Sequence, residues 1–316
     1  MSVQMVWKAQ GADAALWECW NHYDDRSSPP SRIRQVGGSS YGPSLVNVED
    51  LDYGPGSMLN RLSNVAMVWR GIGQDDAIWW SVHQHPGNWL PQQIVKDDFR
   101  TSERPAICRH RNELLLVWKG TSDDPHMYWS VFDGHSWSEK RMVKGGHFGT
   151  SHGPALLGDR VREFGDRPAI MAWKGQLDDT HIYWASYDQG RWSIQQLAGE
   201  EKGTSHAPAL IRYGTRMYMV WKGKHDDSRL WWSHFHVSAW TRQEKVPGVG
   251  GASSGPALSV LYAEPTEKLM LAWKGKGNDN RIFCSFYDGR RSEQRPVGGA
   301  LTSHGPALVR RLVYVL

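Results

Sequence analysis

Apolar residues come along this chain in short runs that close on a tryptophan and a basic residue, as in Met217-Tyr218-Met219-Val220-Trp221-Lys222. Gly, Asp and Pro punctuate the runs at intervals of roughly ten residues, aromatic and β-branched residues are frequent, and no helical period is visible. The pattern predicts short strands throughout, four to a unit. The first follows Thr-Ser-x-Gly-Pro, as in Pro208-Ala209-Leu210-Ile211. The second is the apolar run into the Trp. The third carries an aromatic pair, as in Leu230-Trp231-Trp232-Ser233, and the fourth starts near Trp240 and runs to Val246.

This unit occurs six times. Its leading Trp recurs at Trp7, Trp69, Trp118, Trp173, Trp221 and Trp273, and its closing Pro at Pro43, Pro105, Pro154, Pro208, Pro256 and Pro306. Each Trp-to-Pro spacing is 33 to 36 residues, whereas the spacing from Pro to the next Trp runs from 13 to 26. The length variation therefore sits in one loop per repeat, and the two ends of the chain read as a cut through one such loop. Repeats of this size predict an all-β fold: a six-bladed β-propeller of four-stranded blades. It is one domain over residues 1–316, closed by the C-terminal strand completing the N-terminal blade. Blade one is degenerate, with Trp17-Glu18 for the aromatic pair and Arg26 where a late Trp is expected. Blade six has Phe283-Cys284 and no late Trp. Insertions at Asn47–Asn64, Leu157–Arg167 and Leu261–Lys268 all join first to second strands, so they are expected on one rim, where they would cap one mouth of the channel.

Composition narrows the class. Forty per cent hydrophobic residues suffice for a core, and 18 Trp is far above ordinary usage. A formal charge of +4 is spread along the chain without a dense basic run, which argues against nucleic acid as partner. Cys19, Cys108 and Cys284 stand at non-equivalent repeat positions and read as packed thiols. No segment approaches a membrane span, and residues 1–5 lack a signal-peptide pattern, so the expectation is a cytoplasmic protein, with non-classical export as the alternative. Phosphate-loop, Cys-x-x-Cys, His-Glu-x-x-His and Gly-x-Ser-x-Gly signatures are absent. No cofactor or metal is expected.

Two sets of residues carry the candidate chemistry. The first is the recurrent Trp, basic residue and Asp: Trp69, Arg70 and Asp75; Trp118, Lys119 and Asp124; Trp173, Lys174 and Asp179; Trp221, Lys222 and Asp227. As ligand-binding residues they would offer a Trp face to the apolar side of a pyranose, with carboxylate and ammonium on its hydroxyls. As architecture, the Asp would bond its own hairpin turn and the Lys would be a surface partner. The second set is the variable x of Thr-Ser-x-Gly-Pro: Tyr41, Glu103, His152, His206, Ser254 and His304. The first strand of a propeller blade lines the channel, so these side chains are expected to converge on the axis. There Tyr41, Glu103, His152, His206 and His304 are either acid–base candidates or a solvated lining.

The segments Ser130-Val131-Phe132-Asp133-Gly134-His135-Ser136-Trp137 and Ser186-Tyr187-Asp188-Gln189-Gly190-Arg191-Trp192 resemble the Asp-box turn of sialidase-type propellers, a structural element in those families. The whole repeat resembles those of β-propeller lectins, both six-bladed fungal fucose-binding lectins and bacterial tectonin-like and Photorhabdus-type lectins. The resemblance implies a multivalent carbohydrate-binding protein with shallow sites between blades, glycans as partners and self-association compatible with that role. Blades one and six lack the full aromatic set, so four or fewer working sites are expected. Some cofactor-independent fungal cyclases and cycloaddition catalysts also resemble lectin propellers. That implies an alternative in which a small molecule is oriented in an axial pocket. A protein-interaction scaffold is the further alternative.

Overall fold

The computed structural model describes residues 2–22, 26–54, 56–85, 87–145, 148–158, 167–263 and 266–311. It is a ring of six antiparallel sheets, each running from an inner strand at the axis to an outer one. Blade one takes its inner strand, Ala307–Arg311, from the far end of the chain and pairs it with Ser2–Lys8, in register from Ser2↔Arg311 to Val6↔Ala307. The remaining inner strands are Ser44–Asn47, Ala106–His110, Ala155–Leu157, Ala209–Tyr213 and Ala257–Ala263. No helix occurs among the described residues.

The strands alternate as a two-sided sheet requires, but second strands such as Ser63–Arg70 are buried along nearly their whole length because both faces meet neighbouring blades. Aromatic contacts cement those seams. Trp80 packs on Phe132 and Trp137 of the next blade at 5.0 and 5.5 Å, and Trp129 on Tyr187 at 5.2 Å. Trp232 meets Tyr287 at 5.3 Å. In blade six Arg291 occupies the place of the late Trp and lays its guanidinium over Trp232, 5.0 Å from the ring centre. Between blades one and two Val6, Leu16 and Ile33 pack on Val65, Met67 and Trp89, and beside this apolar cluster Glu18 accepts hydrogen bonds from Trp89 Nε1 and Gln4 Nε2 at 3.0 and 2.6 Å. All three cysteines are buried.

Two sequence expectations need correction. The fourth strand of blade five is not continuous from Trp240 to Val246; Ala239–Trp240 and Glu244–Lys245 pair separately with the third strand. The Asn47–Asn64 insertion does not cap the channel. Residues 47–64 fold outward, burying Val48, Leu51 and Leu59 against Trp80, Phe132 and Trp137, and Ser57 donates to the Gly134 carbonyl of the next blade. Among the described residues of that segment only Asn47 lines the channel. Leu261–Lys268 is a lengthened hairpin in which Leu261 pairs with Lys268, and its tip at 264–265 lies outside the described residues. The third insertion falls largely in 159–166, also outside them.

Candidate functional site

The Trp-Lys-Gly unit ends each second strand and starts a tight turn. Its fourth residue after the Trp takes a positive φ in all six blades: Gly11, Gly73, Ser122, Leu177, His225 and Gly277. The turn leaves carbonyls pointing inward, and the Lys ammonium collects them. Lys174 Nζ donates to Gly175, Leu177 and Asp179 carbonyls at 2.8–3.2 Å and to Ser151 Oγ at 2.8 Å. Lys119 and Lys222 repeat the arrangement on Ser102 and Ser205. Arg70 does so with its guanidinium on Thr101 and Gly73 carbonyls. Burial pushes the pKa of each of these lysines down, opposed by Glu103 and Asp124 at Lys119, by Asp179 at Lys174 and by Asp227 at Lys222. The lysines are thus internal caps and not the surface partners that the architectural reading supposed.

Trp69, Trp118, Trp173 and Trp221 are at most 1% exposed. None offers a face to a sugar, which overturns their expected stacking role. Lys119, Lys174 and Lys222 are likewise spent on backbone. The aspartates differ. Asp124 Oδ1 accepts from the His126 backbone N–H, and its ring Nδ1 lies 2.7 Å away, while Oδ2 accepts from the Tyr128 hydroxyl at 2.9 Å. Asp179 repeats this with His181 and Tyr183. Asp227 holds Arg229 and the Trp231 indole N–H, and Asp75 the Trp79 indole N–H. Burial would raise the Asp124 and Asp179 carboxyls, but these hydrogen bonds hold both below the usual carboxylate range. The glycine after each Lys is required here, because a Cβ at Gly71, Gly120, Gly175 or Gly223 would overlap the aspartate.

The surface constellation is therefore Asp, the residue two further on and the aromatic four further on. Trp79, Tyr128, Tyr183 and Trp231 are half-buried rings; the tyrosines lie nearly parallel to the buried Trp118 and Trp173 beneath them, at 29° and 26°. The His126, His181 and Arg229 side chains are 41 to 55% exposed. Sequence reading missed His126, His181, Arg229, Tyr128, Tyr183, Trp231 and Trp79. The available signal was their constant offset of two or four from an already recognised Asp.

At the axis all six x residues line one cavity of about 570 Å³. His152 and His206 rings are 5.4 Å apart, and Tyr41 and His304 5.2 Å. Burial pushes all three histidines down to about 4, with neighbouring lysines adding to the effect. Burial also raises Glu103 to about 7, against the pull of Lys119, the Gly153 N–H and Arg70. At pH 7 the three histidines are thus neutral and Glu103 is about half ionised. Among the described residues no three His, Cys, Asp or Glu side chains are placed to hold a metal ion.

No family model matches the chain, and no curated protein matches it. Solved structures do. AofleA from Arthrobotrys oligospora superimposes with a TM-score of 0.62 at 9% identity, covering 99% of this chain and 90% of its own. The lectin of Aleuria aurantia, described as a six-bladed β-propeller with a novel fucose recognition mode, gives 0.60 at 11% identity, covering 94% and 96%. SapL1 lectin, solved in complex with α-methyl fucoside, gives 0.59 at 10% identity and 96% coverage of both chains. The chain shares the six-bladed propeller of these proteins.

Proposed function

We propose that this protein is a multivalent carbohydrate-binding protein whose sites lie on the face carrying the Thr-Ser-x-Gly-Pro loops. The observation that carries the reading is the recurrence of a half-buried aromatic ring beside a hydrogen-bonded carboxylate in blades two to five, at Trp79–Asp75, Tyr128–Asp124, Tyr183–Asp179 and Trp231–Asp227. Ring faces suit the apolar side of a pyranose, and carboxylate, imidazole and guanidinium groups suit its hydroxyls. Each site is shallow and weak alone; several on one rigid ring act together on a clustered glycan. The lectin neighbours, two of them described with fucose or a fucoside, support the reading and put fucosylated glycans first among ligands to try.

The test is a glycan array probed with the labelled chain, Tyr128→Ala, Tyr183→Ala and the combined Tyr128→Ala/Tyr183→Ala/Trp231→Ala variant. Binding should weaken stepwise as rings are removed. Absence of binding to every glycan, or full binding by the triple variant, would overturn the assignment.

A further inference from the structure

The inner strands stack distinct rings along the axis beyond the histidines. Two residues after each closing Pro stand Leu45, Ile107, Leu156, Leu210, Leu258 and Leu308, a continuous aliphatic belt on the cavity wall. Two residues further on, blades one, three and five contribute Arg310, Arg109 and Arg212 at the far mouth, alternating with Asn47, Gly158 and Val260. Arg109 is positioned by hydrogen bonds from Nε to the Arg111 carbonyl and from Nη1 to the Glu49 carbonyl, at 3.0 and 3.1 Å.

Between the histidine ring and the belt sits Arg104. It occupies the position of Gly42, Gly153, Ala207, Gly255 and Gly305 in the other five repeats, so the fold does not require a cation there. Its side chain reaches back across two blades: Nε donates to Ser44 Oγ at 2.9 Å and Nη1 to the Pro306 carbonyl at 3.5 Å. Both acceptors are neutral. Burial alone pushes the guanidinium down to about 10, and none of the ion pairs among the described residues involves it. Arg104 is half-buried on the cavity wall, and a largely desolvated cation without a counter-charge is costly, a cost that an anion in the cavity offsets.

We propose that the axial chamber binds an aliphatic carboxylate, its head paired with Arg104 and its hydrocarbon chain lying within the leucine belt. One guanidinium matches one carboxylate in a bidentate pair. The belt suits a saturated chain and not a sugar, whose hydroxyls would go unpaired against it. From the closing Pro to the arginine mouth an extended strand spans about 13 Å, enough for a chain of medium length. The arginines at that mouth raise the local concentration of anions. This site is separate from the glycan rim and stands or falls independently of it.

Calorimetric titration of the intact chain with acetate, octanoate and decanoate, below micelle formation, and with decyltrimethylammonium as the opposite-charge control tests the proposal. Decanoate should bind saturably, octanoate more weakly and acetate and the ammonium not measurably. Arg104→Gly, which restores the residue of four other repeats, should weaken decanoate at least about tenfold, the value of a lost charge-assisted hydrogen bond. Arg104→Met, which keeps the bulk and removes the charge, should do the same and serves if the glycine variant does not fold. Absence of decanoate binding, equal binding of the ammonium compound, or unchanged affinity in a folded Arg104 variant would each overturn it.

Discussion

The imidazole of His152 lies 5.4 Å from that of His206 across the seam between blades four and five, and both are neutral at pH 7. Their folded pKa values near 4 lie below the ordinary histidine value of 6.5. Between these limits the unfolded chain binds more protons, so stability falls as pH drops from 6.5 towards 4. Glu103 acts in the opposite sense. Its folded value near 7 means that acidification from 7 to 4.5 favours the native state. With three histidines against one carboxyl, the acid loss should dominate. His206→Ser, copying Ser254 of blade six, should recover about 1–3 kcal/mol of it. Urea melts at pH 7.5, 6 and 4.5 would show this; equal pH slopes for parent and variant would refute it.

Removing the Glu103 charge gives the complementary expectation. Glu103→Gln should stabilise the fold at pH 8 by on the order of 2 to 3 kcal/mol, and the gain should shrink from pH 7 downwards and vanish below 4.5, where the carboxyl is protonated in both folded and unfolded states. Thermal melts across pH 5 to 8 distinguish this from a uniform gain.

Leu177 is 82% exposed and held at φ 51°, where the corresponding turns of blades one, two and six use glycine. Leu177→Gly should therefore stabilise by about 1 kcal/mol through relief of left-handed strain. Gly175→Ala, two residues earlier, should destabilise, because the added Cβ overlaps the Asp179 carboxylate. Differential scanning calorimetry of the two variants should give shifts of opposite sign.

Arg291 spans Trp232 and Tyr287, and none of its three nitrogens has a hydrogen-bond partner among the described residues. Trp137, Trp192 and Trp240 stand at this place in blades three to five. Arg291→Trp should raise stability by about 1–2 kcal/mol, by exchanging a desolvated charge for apolar burial. A lower melting temperature would show that the guanidinium contributes more than its desolvation costs.

Removing a buried Trp tests the packing role directly. Trp173→Ala should cost about 3–5 kcal/mol. By contrast Tyr183→Ala, on the surface above it, should cost far less while lowering glycan binding. Denaturation midpoints set beside array intensities separate the two roles.

Blade number, strand order and ring closure were readable in the chain because spacing between Trp and Pro encodes a rigid unit, and rigid units repeat. Convergence of Tyr41, Glu103, His152, His206, Ser254 and His304 was readable for the same reason: one variable residue in a constant frame points the same way in every copy. The depth of Trp118 and Lys119 was not. A Trp beside a Lys looks like a surface pair until the turn after it is seen to aim its carbonyls inward, which draws the ammonium down and buries the indole with it. Arg104 was not legible because it stands at the Gly position of the constant frame, where spacing singles out no side chain for the axis.

Lys8 donates to Ser303 Oγ, 295 residues away, within the sheet where Ala307–Arg311 flanks Ser2–Lys8. In synthesis the strand Ser2–Lys8 thus waits for a partner made only after five further blades, each of which can close from local sequence. The ring is sealed only after translation has passed residue 311, and until then its first strand presents an open edge. A ribosome stalled just before Ala307 would hold five folded blades and a ring still unable to shut.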